Sequence, residues 1–253
     1  MPEQKRLTSY RADLHIHSCL SPCASLDMSP RAIVETAVQK GFNCLALTDH
    51  NSAGNCKVMQ TLCSDHGILF FPGLEVTTSE EAHIVCLFET VEAADEADQF
   101  VSRTLPQVKH DPEKLGDQVL VNEYDEIEGF IPDYLALAST ITIDQLRKKV
   151  KELGGLFIPA HIDRPCFSVV SQLGFLEGEF SAVEISRTGV KRGMDMSIAG
   201  SYPAVTASDS HYLHEIGSVG IGFDLSEAKF EQYCHILSQK KITIISQPPA
   251  DKI

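Results

Sequence analysis

The chain of 253 residues has no tryptophan and only 7% aromatic residues, so it offers little for stacking along an extended single strand of nucleic acid. Basic residues are also scarce. Twenty-one Lys and Arg stand against 35 Asp and Glu, a net charge of −14 with histidine neutral. That balance disfavours a broad cationic face for long nucleic acid, and any phosphate-bearing substrate must be held locally. No apolar run nears the roughly 20 residues of a membrane span, and Met1–Arg6 lacks the apolar stretch of a signal peptide. The expected setting is therefore cytoplasmic, with no membrane partner. None of the eight cysteines pairs as CxxC, which points to reduced thiols. Cys44 and Cys86 lie inside apolar runs and read as small buried hydrophobes. Gly-rich phosphate loops are missing as well, because the stretch Gly189 to Gly193 lacks a strand-to-helix setting.

What is present is an apolar content of 43%, enough for a large core, and one domain is the expectation. Short β-branched runs alternate with segments of helical period, the pattern of β/α units around a parallel sheet or barrel. Strands are expected at 12–17, 43–48, 68–72, 74–78, 82–88, 156–160, 181–186, 203–207 and 218–222. Ser29-Pro30 reads as a helix start that Gly41 ends. Thr142 and Gln145 have the spacing of a capping box. Residues 90–140 break the rhythm with an acidic helix and a hairpin near 118–129, and read as an insertion on one rim.

The histidines carry the chemical signal. Six of ten fall in or just after a strand candidate: His15, His17, His50, His83, His161 and His211. Glu75, Glu184 and Asp209 occupy comparable places. In β/α folds the carboxyl ends of strands share one face, so these groups should converge there. Convergent imidazoles and carboxylates are what a divalent metal needs, and one zinc takes only about four ligands, so a cluster this rich suggests two or three ions.

Taken in order, Asp13-Leu14-His15-Ile16-His17-Ser18, Leu47-Thr48-Asp49-His50-Asn51, Gly73-Leu74-Glu75, His83-Ile84-Val85, Pro159-Ala160-His161 and Ser208-Asp209-Ser210-His211 resemble the motifs of the PHP (polymerase and histidinol phosphatase) family. The resemblance runs from about residue 11 to 223. It implies an α/β fold, a distorted seven-stranded (β/α)7 TIM-like barrel, with two or three divalent ions, Zn, Mn or Fe. By position, His15, His17, Glu75 and Asp209 would hold one ion, and Glu75 would bridge to a second held by His83 and His161. His50 and His211 would hold a third. Family members often add a ligand shortly after His-x-His; Cys23 stands near that place, with Asp27 as the alternative.

The implied activity is a metal-dependent phosphoesterase that hydrolyses a small phosphate monoester or a nucleotide by a metal-activated hydroxide. His50 or His211, where not taken by a metal, is a candidate proton donor to the leaving oxygen. Asp49 is a candidate partner for a ligand imidazole or a cap on the following helix. Arg164 and Arg187 follow strand ends and could clamp phosphate oxygens, surface solvation being the plainer reading. Alternatives are a nuclease or 3′,5′-bisphosphate nucleotide phosphatase taking a nucleotide or short oligonucleotide, and, in another class, a catalytically silent metal-binding regulatory module. Amidohydrolase chemistry usually needs a strand-end lysine or an aspartate base, and no lysine lies at a strand end here.

Overall fold

The computed structural model describes residues 7–246, so Met1–Arg6, the segment that bears on a signal peptide, lies outside the described residues. Among the described residues eleven strands form: β1 (Thr8–Asp13), β2 (Cys44–Leu47), β3 (Leu69–Thr77), β4 (His83–Leu87), β5 (Val119–Val121), β6 (Ile127–Phe130), β7 (Leu156–Pro159), β8 (Val183–Ile185), β9 (Ala204–Thr206), β10 (Val219–Leu225) and β11 (Thr243–Ser246). Eight helices accompany them: α1 (Pro30–Gln39), α2 (Cys56–Asp65), α3 (Val91–Ser102), α4 (Pro112–Leu115), α5 (Ile143–Glu152), α6 (Val169–Leu173), α7 (Arg187–Lys191) and α8 (Phe230–Ser238). Among the described residues no helix is long and apolar enough to cross a membrane.

Seven strands make one curled mixed sheet in the order β11-β10-β1-β2-β3-β4-β7, a half-barrel. Its centre, β1-β2-β3, is parallel, and both flanks are antiparallel. A separate parallel pair, β8-β9, lies beside β7 and β10, and β5-β6 is the expected hairpin. The fold is the TIM-like α/β architecture that the resemblance implies.

Alternation along the strands builds two apolar layers. Leu45 and Leu47 of β2, with Leu74 and Val76 of β3, pack against helical residues such as Ile33, Val34 and Met59. Cys44 and Ala46 face the other way, with Phe71, Phe223 and the α8 residues Phe230 and Tyr233. Both Cys44 and Cys86 are buried free thiols, as their apolar surroundings suggested.

The sequence signals at helix ends act as expected. Ser29 Oγ accepts the Ala32 N–H at 3.2 Å, Pro30 opens α1, and Gly41 leaves it with φ +72°, a conformation glycine adopts without a Cβ penalty. At α5 the Gln145 N–H donates to Thr142 Oγ1 and the Thr142 N–H to Gln145 Oε1, at 3.2 and 3.0 Å.

Two strand expectations change. Residues 68–78 form one strand rather than two, because β3 exchanges neighbours at Pro72-Gly73: Leu69 to Pro72 pair with β2, and Gly73 to Thr77 pair with β4. A Cβ on Gly73 would meet the Cys86 carbonyl, so only glycine allows the close sheet contact where the strand changes partners. The first strand ends at Asp13, ahead of the histidines. Beyond it the chain stays extended because the Thr48 N–H donates to Ile16 O and the His17 N–H to Ser210 O, at 2.9 and 3.0 Å.

Within 90–140, α3 packs Val91, Ala94, Ala97 and Val101 into the core, and later residues are tied to the strand ends. Asn55 Nδ2 donates to Val119 O, and Asn51 Nδ2 to the carbonyls of Leu135 and Leu137.

Candidate metal centre

The six strand-end histidines meet in one cluster, five of them around one carboxylate, Glu75, and His211 beside Asp209. Glu75, near the end of β3, is buried; its Oε1 lies 3.0 Å from His83 Nδ1 and 3.4 Å from both His15 Nε2 and His161 Nε2. Its Oε2 lies 3.1 Å from His50 Nδ1 and 3.4 Å from His17 Nε2. Asp209 Oδ1 approaches His15 Nε2, His17 Nε2 and His211 Nδ1 at 3.5, 3.3 and 3.7 Å. Three tight groups of donor atoms result: His15, His17 and Glu75; His50, Glu75 and His83; and His17, His50 and His211.

Buried donors without hydrogen bonds indicate what the cluster fits. His50 Nδ1, Glu75 Oε1 and His161 Nδ1 are buried and unbonded despite the short approaches around them. His15 Nε2 and His17 Nε2 face each other at 3.2 Å. Leaving such groups unsatisfied is costly, and cations among them would remove the cost. The donor set, imidazoles with carboxylates, suits divalent metal ions.

The second ring nitrogens explain how the first are aimed. His15 Nδ1 lies 3.0 Å from Glu184 Oε2, so an N–H there leaves Nε2 free to ligate. Glu184 also accepts the His161 N–H at 3.2 Å, holding two ligand positions at once. His17 Nδ1 lies 2.9 Å from Ser21 Oγ, and that hydroxyl donates to Asp49 Oδ1 at 2.6 Å. Asp49 thus reaches an imidazole through one hydroxyl, and it also accepts from the Ser18 N–H and Oγ. His211 Nδ1 lies 3.1 Å from the Asp209 carbonyl.

Burial and neighbouring charge compete across the cluster. Burial alone would raise Glu75, but His83 and His15 more than offset it and hold this carboxyl well below the usual range. Asp209 is likewise held low against burial, chiefly by His15 and His17. Burial, reinforced by His211, lowers His17 to about 4, and burial with His17 lowers His50 well below the ordinary imidazole range. His15 differs, because Glu184 and Glu75 outweigh burial and hold it well above the ordinary imidazole range, so a cation there displaces its proton, whereas His17, His50 and the two carboxylates already favour the metal-binding form.

The remaining expected residues separate. Arg164 Nη2 pairs with Asp209 Oδ2 at 2.6 Å with its side chain 37% exposed, at the mouth of the cluster. Arg187 is paired with Glu215 at 2.8 Å, and Glu215 accepts the His211 N–H. Cys23 is exposed and belongs to none of the three donor groups. Asp27 is exposed and lines a groove with Cys19 and Leu26. Glu184 stands out in the sequence as a strand-end acid, though not its partners, whereas Ser21 is not legible there beyond its place four residues after His17.

Backbone strain collects at the same points. His161 and Asp209 have φ of +31° and +48°, sparsely populated for residues with a Cβ, where the chain turns sharply off β7 and β9. A cavity of about 600 Å3 lined by Tyr10, Gln60, Asp65 and Phe70 opens at the opposite, amino end of the strands and lacks converging donors.

Solved structures share this fold. Lesion-specific endonuclease PfuEndoQ from Pyrococcus furiosus is 19% identical with a TM-score of 0.67, over 94% of this chain and 58% of its own. Endonuclease Q in complex with a 27-mer duplex bearing an abasic lesion gives 20% identity and a TM-score of 0.66, over 92% and 57%. A two-domain protein from Bacteroides vulgatus, containing a predicted PHP-like metal-dependent phosphoesterase, is 13% identical with a TM-score of 0.53, over 95% and 65%. The chain thus spans under two thirds of the length of these structures. No curated protein matches it significantly. The PHP domain model matches residues 13–163, more than half of the sequence and the segment that supplies His15, His17, His50, Glu75, His83 and His161, so the chain belongs to the PHP domain family.

Proposed function

We propose that the chain is a metal-dependent phosphoester hydrolase acting on a small phosphate monoester or nucleotide. The observation that carries this reading is the approach of five imidazoles to the two oxygens of one buried carboxylate, Glu75. Divalent ions bound there supply Lewis acidity, lowering the pKa of water and neutralising charge on phosphoryl oxygens. His15, His17, Glu75 and Asp209 form one ligand set. Glu75 would reach a second ion with His83 and His161, and His50 and His211 would serve a third, His17 being grouped with that last pair.

The protein's own work is orientation. Glu184 and the Ser21-Asp49 pair fix the tautomers of His15 and His17. Arg164, exposed at the mouth, exchanges part of its contact with Asp209 for a phosphate oxygen. Arg187 is a positioning residue, acting on His211 through Glu215. His211, with its side chain 22% exposed, is placed to give a proton to the leaving oxygen when it is not a ligand.

A nuclease reading has its own support, the higher TM-scores with Endonuclease Q, one structure of which holds a lesion-bearing duplex. The charge of −14 favours a short strand over a long one. Phosphate release and strand cleavage should be followed across phosphomonoesters, nucleotides and short oligonucleotides with added Mn2+ or Zn2+, alongside elemental analysis. Turnover of monoesters supports the first reading, and internal strand cleavage supports the second. Metal bound without cleavage of any of them sinks both and leaves the silent metal-binding module.

A further inference from the structure

The loop that leaves β7 carries an aromatic side chain at the mouth of the metal centre that no ligand role explains. Phe167 is 44% exposed, although the chain has few aromatics to spare for its surface. Its ring lies against the His83 imidazole, with centroids 4.9 Å apart and planes 24° apart. His83 in turn is 3.0 Å from Glu75 and is one of the more exposed ligands, its side chain 14% accessible. The ring therefore stands one imidazole away from the central carboxylate, on the side open to solvent.

The backbone keeps it there. The His83 N–H donates to Phe167 O at 2.9 Å, and the Ala160 N–H donates to His83 O at 3.0 Å. Ser168 Oγ donates to Arg164 O at 2.9 Å, closing the loop on itself, and Ser168 caps α6. Phe167 has φ +56°, a conformation unusual for a bulky residue, which persists only where neighbours over-determine it. A side chain needed merely to cover His83 would not require this backbone or leave its own ring in water. Tyr212, exposed beside His211, differs: it leans on His214, which is not a donor of the cluster.

Resting on the phosphoester reading, we propose that Phe167 is a specificity-determining platform. The flat base of a nucleotide stacks on it while the phosphate lies between Arg164 and the metal ligands. A rigid ring offers its face to any base, since every base has a π-face, so the platform selects for a base without choosing which. This singles out the nucleotide from the small phosphate esters otherwise admitted.

The test compares adenosine 5′-monophosphate with ribose 5-phosphate, the same sugar phosphate without a base. Both are followed by phosphate release and by calorimetric binding to the Mn2+-loaded protein. Phe167→Ala and Phe167→Leu should raise KM and Kd for the nucleotide by about 5- to 100-fold. Those for ribose 5-phosphate should move less than about twofold. Phe167→Trp should restore nucleotide binding, which a packing role alone would not explain. Equal losses on both ligands, or unchanged nucleotide binding in Phe167→Leu with its fold and metal content intact, would overturn the platform. If the unaltered protein hydrolyses neither ligand, the phosphoester reading fails, while the two Kd values still decide whether Phe167 binds a base.

Discussion

The two halves that meet at the metal centre are built differently. His15, His17, His50, Glu75, His83 and His161 lie on or just past β1, β2, β3, β4 and β7, neighbours in one continuous ladder. Glu184, Asp209 and His211 come from the separate β8-β9 pair and the loop after it. The first half is positioned by backbone pairing. The second is joined to it by a few backbone bonds and by buried carboxylates that reach across. Asp13 accepts the N–H groups of Ser208 and Gly217 at 2.9 and 2.8 Å, and Glu184 accepts from His161 while facing His15. Backbone bonds support these braces: the His17 N–H donates to Ser210 O, the Ile162 N–H to Glu184 O, the Ser181 N–H to Phe157 O and the Ser25 N–H to His211 O. Ligands of the ladder half should therefore be lost one at a time, whereas those of the other half are lost together when a brace fails.

Replacing Glu75 with Gln strikes the ladder half at the atom both flanks share. It should cut turnover about a thousandfold and reduce bound metal while leaving thermal unfolding nearly unchanged. Full activity in this variant would dismiss Glu75 as the centre of the site. Asp13→Ala strikes the junction instead. With two buried N–H groups left without an acceptor, it should cost about 2–5 kcal/mol in urea unfolding and lower metal content, although Asp13 is not itself among the donors. Unchanged stability would mean the halves are held by something else.

Glu184→Gln is milder. It keeps the shape but weakens the grip on His15 Nδ1, so metal affinity should fall about 10- to 100-fold, with secondary structure preserved by circular dichroism. An unchanged affinity would show that His15 needs no second partner.

The smallest effect is one of pH on chelated protein. His17 is lowered in the fold to about 4 from its ordinary 6.5, so the unfolded chain binds more protons between these values. Its contribution to stability rises with pH across that window and is complete above it. His50 shifts in the same direction, whereas Asp13, which burial pushes up to about 6, opposes it. His17→Asn should thus reduce the rise in stability from pH 4.5 to 7 relative to the parent chain, and an equal slope would refute the assignment.

Residues whose signal is local are legible in the amino-acid order itself: strand-end histidines, the Thr142 capping box, and Gly41 after its helix. The convergence on Glu75 follows from the rule that strand ends share a face. What escapes depends on distance along the chain. His15 and Glu184 are 169 residues apart, and no periodicity announces their contact. Ser21 is a common loop residue until the fold sets Asp49 behind it. The merging of β3 is hidden because Pro72-Gly73 reads as a break locally, although the strand only changes partners there.

The sharing of donors bears on how such a centre can drift during evolution. Within the three tight groups His17, His50 and Glu75 each belong to two, while His15, His83 and His211 each belong to one. Substitution at a shared position strips two groups in a single step, so selection holds those positions most firmly. Relatives with fewer ions should have changed first at the unshared positions, and His211, on the less tightly joined half and the most exposed of the three, is the place where a lineage can shed an ion and keep the rest.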